Sequence, residues 1–372
     1  MKIAVFYDLE KGGAWETVKQ NIKFLTKNKE FVDIFSTKKD ELKLFSNNYY
    51  VFENPHTNNV IDHLYSVLFK IRINQKKIAN IINKNQYDLI LIYPSIITQA
   101  PYLLRFLNSK NLNKTIYILH EPKREFYETT SYDYYQWKRI MSRLIRLPIK
   151  YIDKKNCSYA KHIISNSYYS KYIIQKIYNK NSYVIYPGMI QQTPNIKTIK
   201  NFKNILSVGM FSKIKGHHIS FNQIAHKNIT LNILGRKSQE FKYINNLAFL
   251  YNTRLKILIT EDNKIKNKIY KKHSIFLANQ INEPFGLTTL EAADQNCFVL
   301  GLNLGGTPEI IRHGLNGLLY PQFSLLYSQK TLDYILKHNK LEIIKTTKIN
   351  WQSYSQKISK YYINKIKNEP NY

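Results

Sequence analysis

Two glutamates eight residues apart, Glu283 and Glu291, carry most of the chemistry that can be read from this chain. They stand in the run N-E-P-F-G-L-T-T-L-E-A-A-D from Asn282 to Asp294. Pro284 and Gly286 place the first on a loop, and Thr288 is expected to open a helix that holds the second. Thr288 followed three residues later by Glu291 is the spacing of a capping box, which would specify the helix start and turn its free N–H groups toward the loop. A helix start with open N–H groups and the positive end of the dipole attracts phosphate. Gly286 lets the backbone approach a ligand, and a carboxylate accepts hydrogen bonds from sugar or ribose hydroxyls. Diphosphate on the amides of Phe285, Gly286 and Leu287, with hydroxyls on the carboxylates, is a site suited to a nucleotide sugar. A plainer reading uses the same residues: Glu291 as capping partner alone and Glu283 as a solvated loop carboxylate. Both readings stand on these residues taken by themselves.

The residues that follow add a second loop-to-helix junction. Phe298 to Leu302 reads as a buried strand and Gly305-Gly306 as a loop. Thr307 is the expected N-cap, Pro308 the first-turn proline and Gly314 the stop. From Asn282 to Gly317 the chain resembles the retaining glycosyltransferases of family 4, whose C-terminal domain carries E-P-F-G-L-x-x-L-E followed by a G-G-x-P-E-I-I segment. The chain departs from that pattern at Asn296 and Phe298, where the family usually has Gly and Pro. Asn tolerates the left-handed backbone that a helix end needs, so the first change is mild. The resemblance implies a GT-B fold, with Glu283 on the hydroxyls of the transferred sugar and Glu291 on the ribose as well as in its helix.

Other segments fit the same family. The Gly12-Gly13 pair after the first strand resembles the family's loop near donor and acceptor, although such a pair also makes ordinary tight turns. His120, in His-Glu-Pro after the fourth strand read here, resembles the His that contacts the transferred sugar in mannosyltransferases of the family; a lone His at a strand end is otherwise commonly structural. In the second half, Gly209 to Gly216 resembles a segment in which an Arg and a Lys clamp the donor diphosphate. Lys215 keeps its place, Met210 stands where the Arg would be, and Lys213 is either a helper or a solvated surface charge. Ser165-Asn166-Ser167 and Tyr186-Pro187-Gly188 also match family segments, with turn geometry as their expected work.

Bulk properties bound the rest. A chain of 372 residues implies two domains. Cys157 and Cys297 lack metal-ligand spacing and agree with a reducing cytoplasm. The start Met1 to Asp8 is too short and too soon interrupted by acid for a signal peptide, and no apolar run reaches the roughly 18 residues of a membrane span. A soluble or peripheral protein is expected. The net charge of +31 favours anionic partners, but only nine of 56 basic residues are Arg. Readers of base sequence lean on Arg, so nucleic acid is not the expected partner. A basic nucleic-acid-binding protein and a glycoside hydrolase with paired glutamates are the alternatives weighed. The acid-free run Trp137 to Leu147 places apolar residues on one helical face, which suits either a membrane surface or an ordinary packed helix.

Strand candidates alternate with helical patterns through both halves, which is the mark of α/β doubly wound parallel sheets. They fall at Lys2 to Tyr7, Phe31 to Phe35, Leu89 to Tyr93, Thr115 to Leu119, His162 to Ser165 and Tyr183 to Tyr186. A second set falls at Asn204 to Val208, Thr230 to Leu234, Leu255 to Ile259, Ser274 to Leu277 and Phe298 to Leu302. Two Rossmann-like domains are therefore expected, 1–190 for the acceptor and 204–348 for the donor. A polar linker over 191–203 and a final helical segment at 349–372, crossing back to the first domain, complete the plan. Ligands of such sheets lie at the carboxyl ends of the strands, in a cleft if the domains face one another. The expected partners are a nucleotide-diphosphate sugar, a glycan or lipid-linked acceptor and an anionic membrane surface. No cofactor and no metal are expected.

Overall fold

The computed structural model describes residues 1–57, 59–128, 136–188, 204–236, 241–260, 262–322, 324–337 and 350–367, with side chains for all of these except 60 and 136–145. The chain forms two compact units, Met1–Gly188 together with Asn350–Tyr372, and Met189–Ile349. The linker expected at 191–203 lies outside the described residues.

The first unit is built on β1 (Lys2–Asp8), β2 (Phe31–Ser36), β3 (Asn48–Val51), β4 (Leu89–Ser95), β5 (Thr115–Ile118), β6 (His162–Ser165) and β7 (Tyr183–Val184). The seven strands lie in the order β3-β2-β1-β4-β5-β6-β7, and every pairing is parallel. Ile3 to Tyr7 of β1 are buried without alternation, as a strand covered by helices on both faces requires. The order reverses between β1 and β4, so the loops after these two strands part and leave a crevice at their carboxyl ends. One core layer joins Phe6, Phe35, Ile92, Tyr117 and Ile163.

The second unit repeats the plan with β8 (Asn204–Val208), β9 (Thr230–Gly235), β10 (Arg254–Ile259), β11 (Ile275–Ala278), β12 (Phe298–Leu302) and β13 (Gly317–Tyr320). Its order is β10-β9-β8-β11-β12-β13, again all parallel, with the reversal between β8 and β11. Phe211, Phe221, Ile233, Leu277 and Leu300 share its core.

Two strands escape the sequence pattern, and both lie in the outer part of a sheet. β3 is Asn-Tyr-Tyr-Val, only partly buried, and it gains its place from register with β2 and from Tyr50 stacked on Phe35 at 4.9 Å. β13 begins at Gly317 after Asn316, a pair that reads as a turn. The helix expected near Glu16 starts at Gly13, because Glu16 is already bonded through its amide to the Gly12 carbonyl at 2.9 Å.

The helix Trp351–Tyr362 packs on Gly13–Lys27 within the first unit. Asn350 caps it by accepting from the Ser353 amide at 2.7 Å, and the Tyr362 hydroxyl donates to the Asp88 carbonyl. Trp351 is buried, in keeping with a packing anchor. The segment Trp137 to Leu147 lies in the helix Gln136–Ser158, and most of its side chains fall outside the described residues. Among the described residues no helix is long and apolar enough to cross a membrane.

Candidate active site

Three loops of the second unit leave the carboxyl ends of β8, β11 and β12, on either side of its reversal point. The loop after β8 carries Lys215 in the short turn Lys213–Lys215, the loop after β11 carries Glu283, and the loop after β12 carries Gly305-Gly306. Glu283 and Lys215 meet: Nζ lies 2.7 Å from Oε2, with both side chains about one quarter exposed. The lysine stem runs past Gly209, where an added Cβ would stand 3.0 Å from the Lys215 Cγ. The Glu283 loop is fixed from behind by the glycine pair. Gly306 donates its amide to the Glu283 carbonyl at 2.8 Å, and Gly305 has φ 67° with Glu283 backbone packed where a side chain would go. Any residue with a Cβ at 305 would push that loop away.

The helix that follows Glu283 does not start as its sequence indicates. It spans Leu287–Asp294, Gly286 holds the N-cap position with φ 99°, and no side chain caps it. The expected Thr288–Glu291 capping box is therefore absent, because the left-handed turn at Gly286 starts the helix early and leaves Thr288 inside its first turn. The same correction applies at Thr307, expected as an N-cap: Gly306 precedes a helix Thr307–Ile310, with Pro308 in its first turn. That helix ends at Ile310, short of the stop expected at Gly314, which instead turns the chain toward β13 with φ 84°. Asn296, by contrast, does take the left-handed conformation, φ 58°.

Freed from capping, Glu291 has other partners. Its Oε2 accepts from the Tyr270 hydroxyl at 2.9 Å and from Lys266 Nζ at 2.6 Å. Among the described residues its other oxygen makes no bond. Tyr270 is wholly buried, and burial first, then the adjacent Glu291 carboxylate, raises its phenol well above the usual range, so it stays a donor. Tyr270 and Lys266 thus hold one oxygen of Glu291 and leave Oε1 for a hydroxyl.

His217 sets the loop after β8. Its Nε2 lies 3.2 Å from the Met210 carbonyl, which can only accept, so Nε2 carries the proton and Nδ1 accepts from the Ser207 hydroxyl at 3.3 Å. Met210 itself is half exposed, and Lys213 lies over the Tyr243 ring at 5.5 Å.

In the first unit, Gly12-Gly13 and His120 are linked through one side chain. Thr17, on the helix Gly13–Lys27, donates to the Ala14 carbonyl at 2.6 Å and lies 3.1 Å from His120 Nε2. Its single proton is used on Ala14, so His120 donates from Nε2 and keeps Nδ1 as an acceptor. Gly12 is extended, and an added Cβ would meet nothing closer than the Glu10 carbonyl at 3.8 Å. The fold does not require a glycine there; its absent side chain leaves room beside the crevice.

Residues 190–358 match the family model described as glycosyl transferases group 1. The match takes in the second unit and runs into the final helix, a little under half of the chain. The chain is 27% identical over 254 residues to an uncharacterized 41.2 kDa protein in the cps region of Klebsiella pneumoniae; the match spans 63% of this chain and 65% of that one. Its fold is that of a sucrose-phosphate synthase from Thermosynechococcus elongatus, with TM-score 0.75, 16% identity and coverage of 97% and 98%. The Anabaena protein HepE, solved in complex with UDP and glucose, is similar with TM-score 0.70 and 16% identity over 98% of this chain and all of that one. The expected GT-B class, two Rossmann-like parallel-sheet units, is thus the fold of this chain.

Of the residues singled out from the sequence, the second unit brings together Lys215, Glu283 and the start of the Leu287 helix, and it places Glu291 on that helix. The first unit joins the Gly12-Gly13 loop to His120. Lys266, Tyr270 and His217 were not foreseen. Lys266 and Tyr270 are four residues apart, a same-face spacing, but nothing local says which element that face meets.

The two buried imidazoles make the protein acid-sensitive. Burial pushes both His120 and His217 down to about 4, from an ordinary 6.5. Between these values the unfolded chain binds protons that the native state does not, so stability is full above about 6.5 and falls as pH drops toward 4. Thermal unfolding across that window should show a falling Tm, and His217→Gln should flatten part of the slope. An unchanged Tm between these pH values would contradict the assignment.

Proposed function

We propose that this chain is a retaining glycosyltransferase that moves a sugar from a nucleotide-diphosphate donor to a glycan or lipid-linked acceptor, in the assembly of a surface polysaccharide or glycoconjugate. One observation carries the reading: an ammonium, a carboxylate and an uncapped helix start converge at the carboxyl ends of β8 and β11. The first amides of a helix have no carbonyl of their own, and with Lys215 they suit the charge that grows on a departing diphosphate. Glu283 takes hydroxyls of the transferred sugar, Glu291 takes the ribose through Oε1, and His120 contacts the sugar as a neutral imidazole. For this, Lys215 exchanges the Glu283 carboxylate for phosphate as the donor enters. The sugar leaves and is attacked on the same face, within an ion pair, and no side chain forms a covalent link.

The cps-region relative and the UDP and glucose held by the Anabaena structure agree with such a donor and such a product. A hydrolase with paired carboxylates is less well supported, because each glutamate is bonded to a lysine ammonium, the wrong neighbour for a proton-donating acid. The charge neutralisation comes from the chain itself in this reading, so turnover is expected to survive excess EDTA, and the enzyme would work in the cytoplasm or at the inner face of a membrane.

A thermal-shift panel of UDP-, GDP- and ADP-sugars tests the reading, since a ligand that binds the native state raises its Tm. One nucleotide class should stabilise the protein. Silence across the panel, together with salt-sensitive binding of DNA, would favour a nucleic-acid-binding protein instead.

A further inference from the structure

A helical rod of the first unit carries an apolar stripe on its outer side that folding does not use. The rod runs through Val60–Tyr65, a wide-turn segment Ser66–Ile71, and Arg72–Lys84. Its inner side is already occupied: Val67 and Ile71 are buried with Tyr102, Ile149 and Ile152. On the outer side Ile61 is 80% exposed, Tyr65 52%, Phe69 50% and Ile73 54%. Single exposed apolar residues are ordinary, but these four recur every fourth position. In a uniform α-helix that spacing drifts by about 40° at each step and spreads the set around the rod. The i→i+5 turns of Ser66–Ile71 wind more slowly and take back part of the drift, so the four residues form one line. Tyr65 and Phe69 have their rings 5.1 Å apart.

Cations edge the line. Lys70, Lys76 and Lys77 are exposed, the last two at i+3 and i+4 from Ile73, and Lys70 Nζ stands 5.6 Å from the Tyr65 ring. Asp62 is the one acid between 60 and 84. An aromatic and aliphatic line bordered by lysines on one exposed face fits a surface that is apolar a few ångströms down and anionic at its rim.

We propose that this face docks the protein on an anionic lipid surface. Ile61, Tyr65, Phe69 and Ile73 enter the headgroup boundary, while Lys70, Lys76 and Lys77 lie on lipid phosphates. The proposal is independent of the donor site in the second unit.

Co-sedimentation of the full chain with vesicles of phosphatidylcholine, alone or mixed with phosphatidylglycerol, tests it. The wild type should bind the mixed vesicles, and combined Ile61→Ser, Tyr65→Ser, Phe69→Ser and Ile73→Ser should weaken binding by about tenfold or more, from the apolar area withheld. Because all four side chains are exposed, thermal unfolding of this variant should match the wild type. A single Phe69→Trp variant gives a second readout, a blue shift of emission when the mixed vesicles are added. Equal binding by the fourfold variant would show adsorption by net charge alone and overturn the proposal, as would an unshifted emission from the Phe69→Trp variant. If light scattering shows a wild-type dimer that the fourfold variant dissolves while vesicle binding persists, the face belongs to a second copy of the chain and the proposal fails.

Discussion

Glu283→Ala should lower turnover by roughly 100-fold or more while the nucleoside diphosphate still binds. The carboxylate holds Lys215 at 2.7 Å, and both side chains are partly open to solvent. A pair of this kind contributes only about 0–1 kcal/mol to folding, so the variant should unfold near the wild-type temperature. Its loss acts on the ligand side. Without Glu283, Lys215 has no counter-ion to give up when phosphate arrives, so binding of the bare nucleoside diphosphate should hold or tighten. What should disappear is the proposed grip on the transferred sugar, which would matter most as the glycosidic bond stretches. Glu283→Gln keeps a hydroxyl partner without the charge and should fall between the two. Calorimetric titration with the nucleoside diphosphate, beside steady-state rates with the intact donor, separates these effects. Full activity in Glu283→Ala would remove the residue from the site, and equal losses of binding and turnover would assign it to the diphosphate rather than the sugar.

Lys215→Ala should be more damaging, with kcat/KM for the donor reduced by roughly 1000-fold. Met210 brings no charge to this loop, and Lys213 lies over the Tyr243 ring. Lys215 is thus the ammonium that the loop after β8 would present to the diphosphate in the proposed reaction. The uncapped amides at Leu287 would still bind phosphate weakly, so donor KM should rise and kcat should fall together. Met210→Arg in the Lys215→Ala background offers a direct check, since an arginine there would return a cation to the half-exposed side of the loop and should recover part of the loss. If Lys215→Ala keeps its donor KM, the diphosphate is held elsewhere. Because Lys215 and Glu283 touch, their combined substitution should cost less than the sum of the single effects.

The two parallel sheets were legible because β1, β4, β8 and β12 are short buried runs that only a strand covered on both sides explains. The outermost strand β13 was missed, and so was β3, since Asn316-Gly317 and Asn48-Tyr49 read as loop and gain their order from a neighbour's backbone. The candidate site divides in the same way. The residue types and spacing from Asn282 to Gly306 were enough to find Glu283, Gly286 and the helix that carries Glu291, because proline, glycine and the apolar period act locally. Partners were not local. The capping box between Thr288 and Glu291 satisfied every short-range rule, yet Gly286 took the cap position.

Apart from the edge strands β3 and β13 and the exact helix caps, the alternation of strands and helices and the residue types that fit a nucleotide sugar thus follow from the sequence by itself, since each rests on torsional preferences and hydrophobic period within a few residues. Only the tertiary structure decided that Glu283 meets Lys215 from 68 residues away and that Glu291 is gripped by Tyr270 and Lys266. It also decided that Thr17 orients His120 across 103 residues. These pairings depend on strand order, and that of Glu283 with Lys215 also on the glycines at 209 and 305; a linear pattern does not encode which loops the reversal of a sheet will bring side by side.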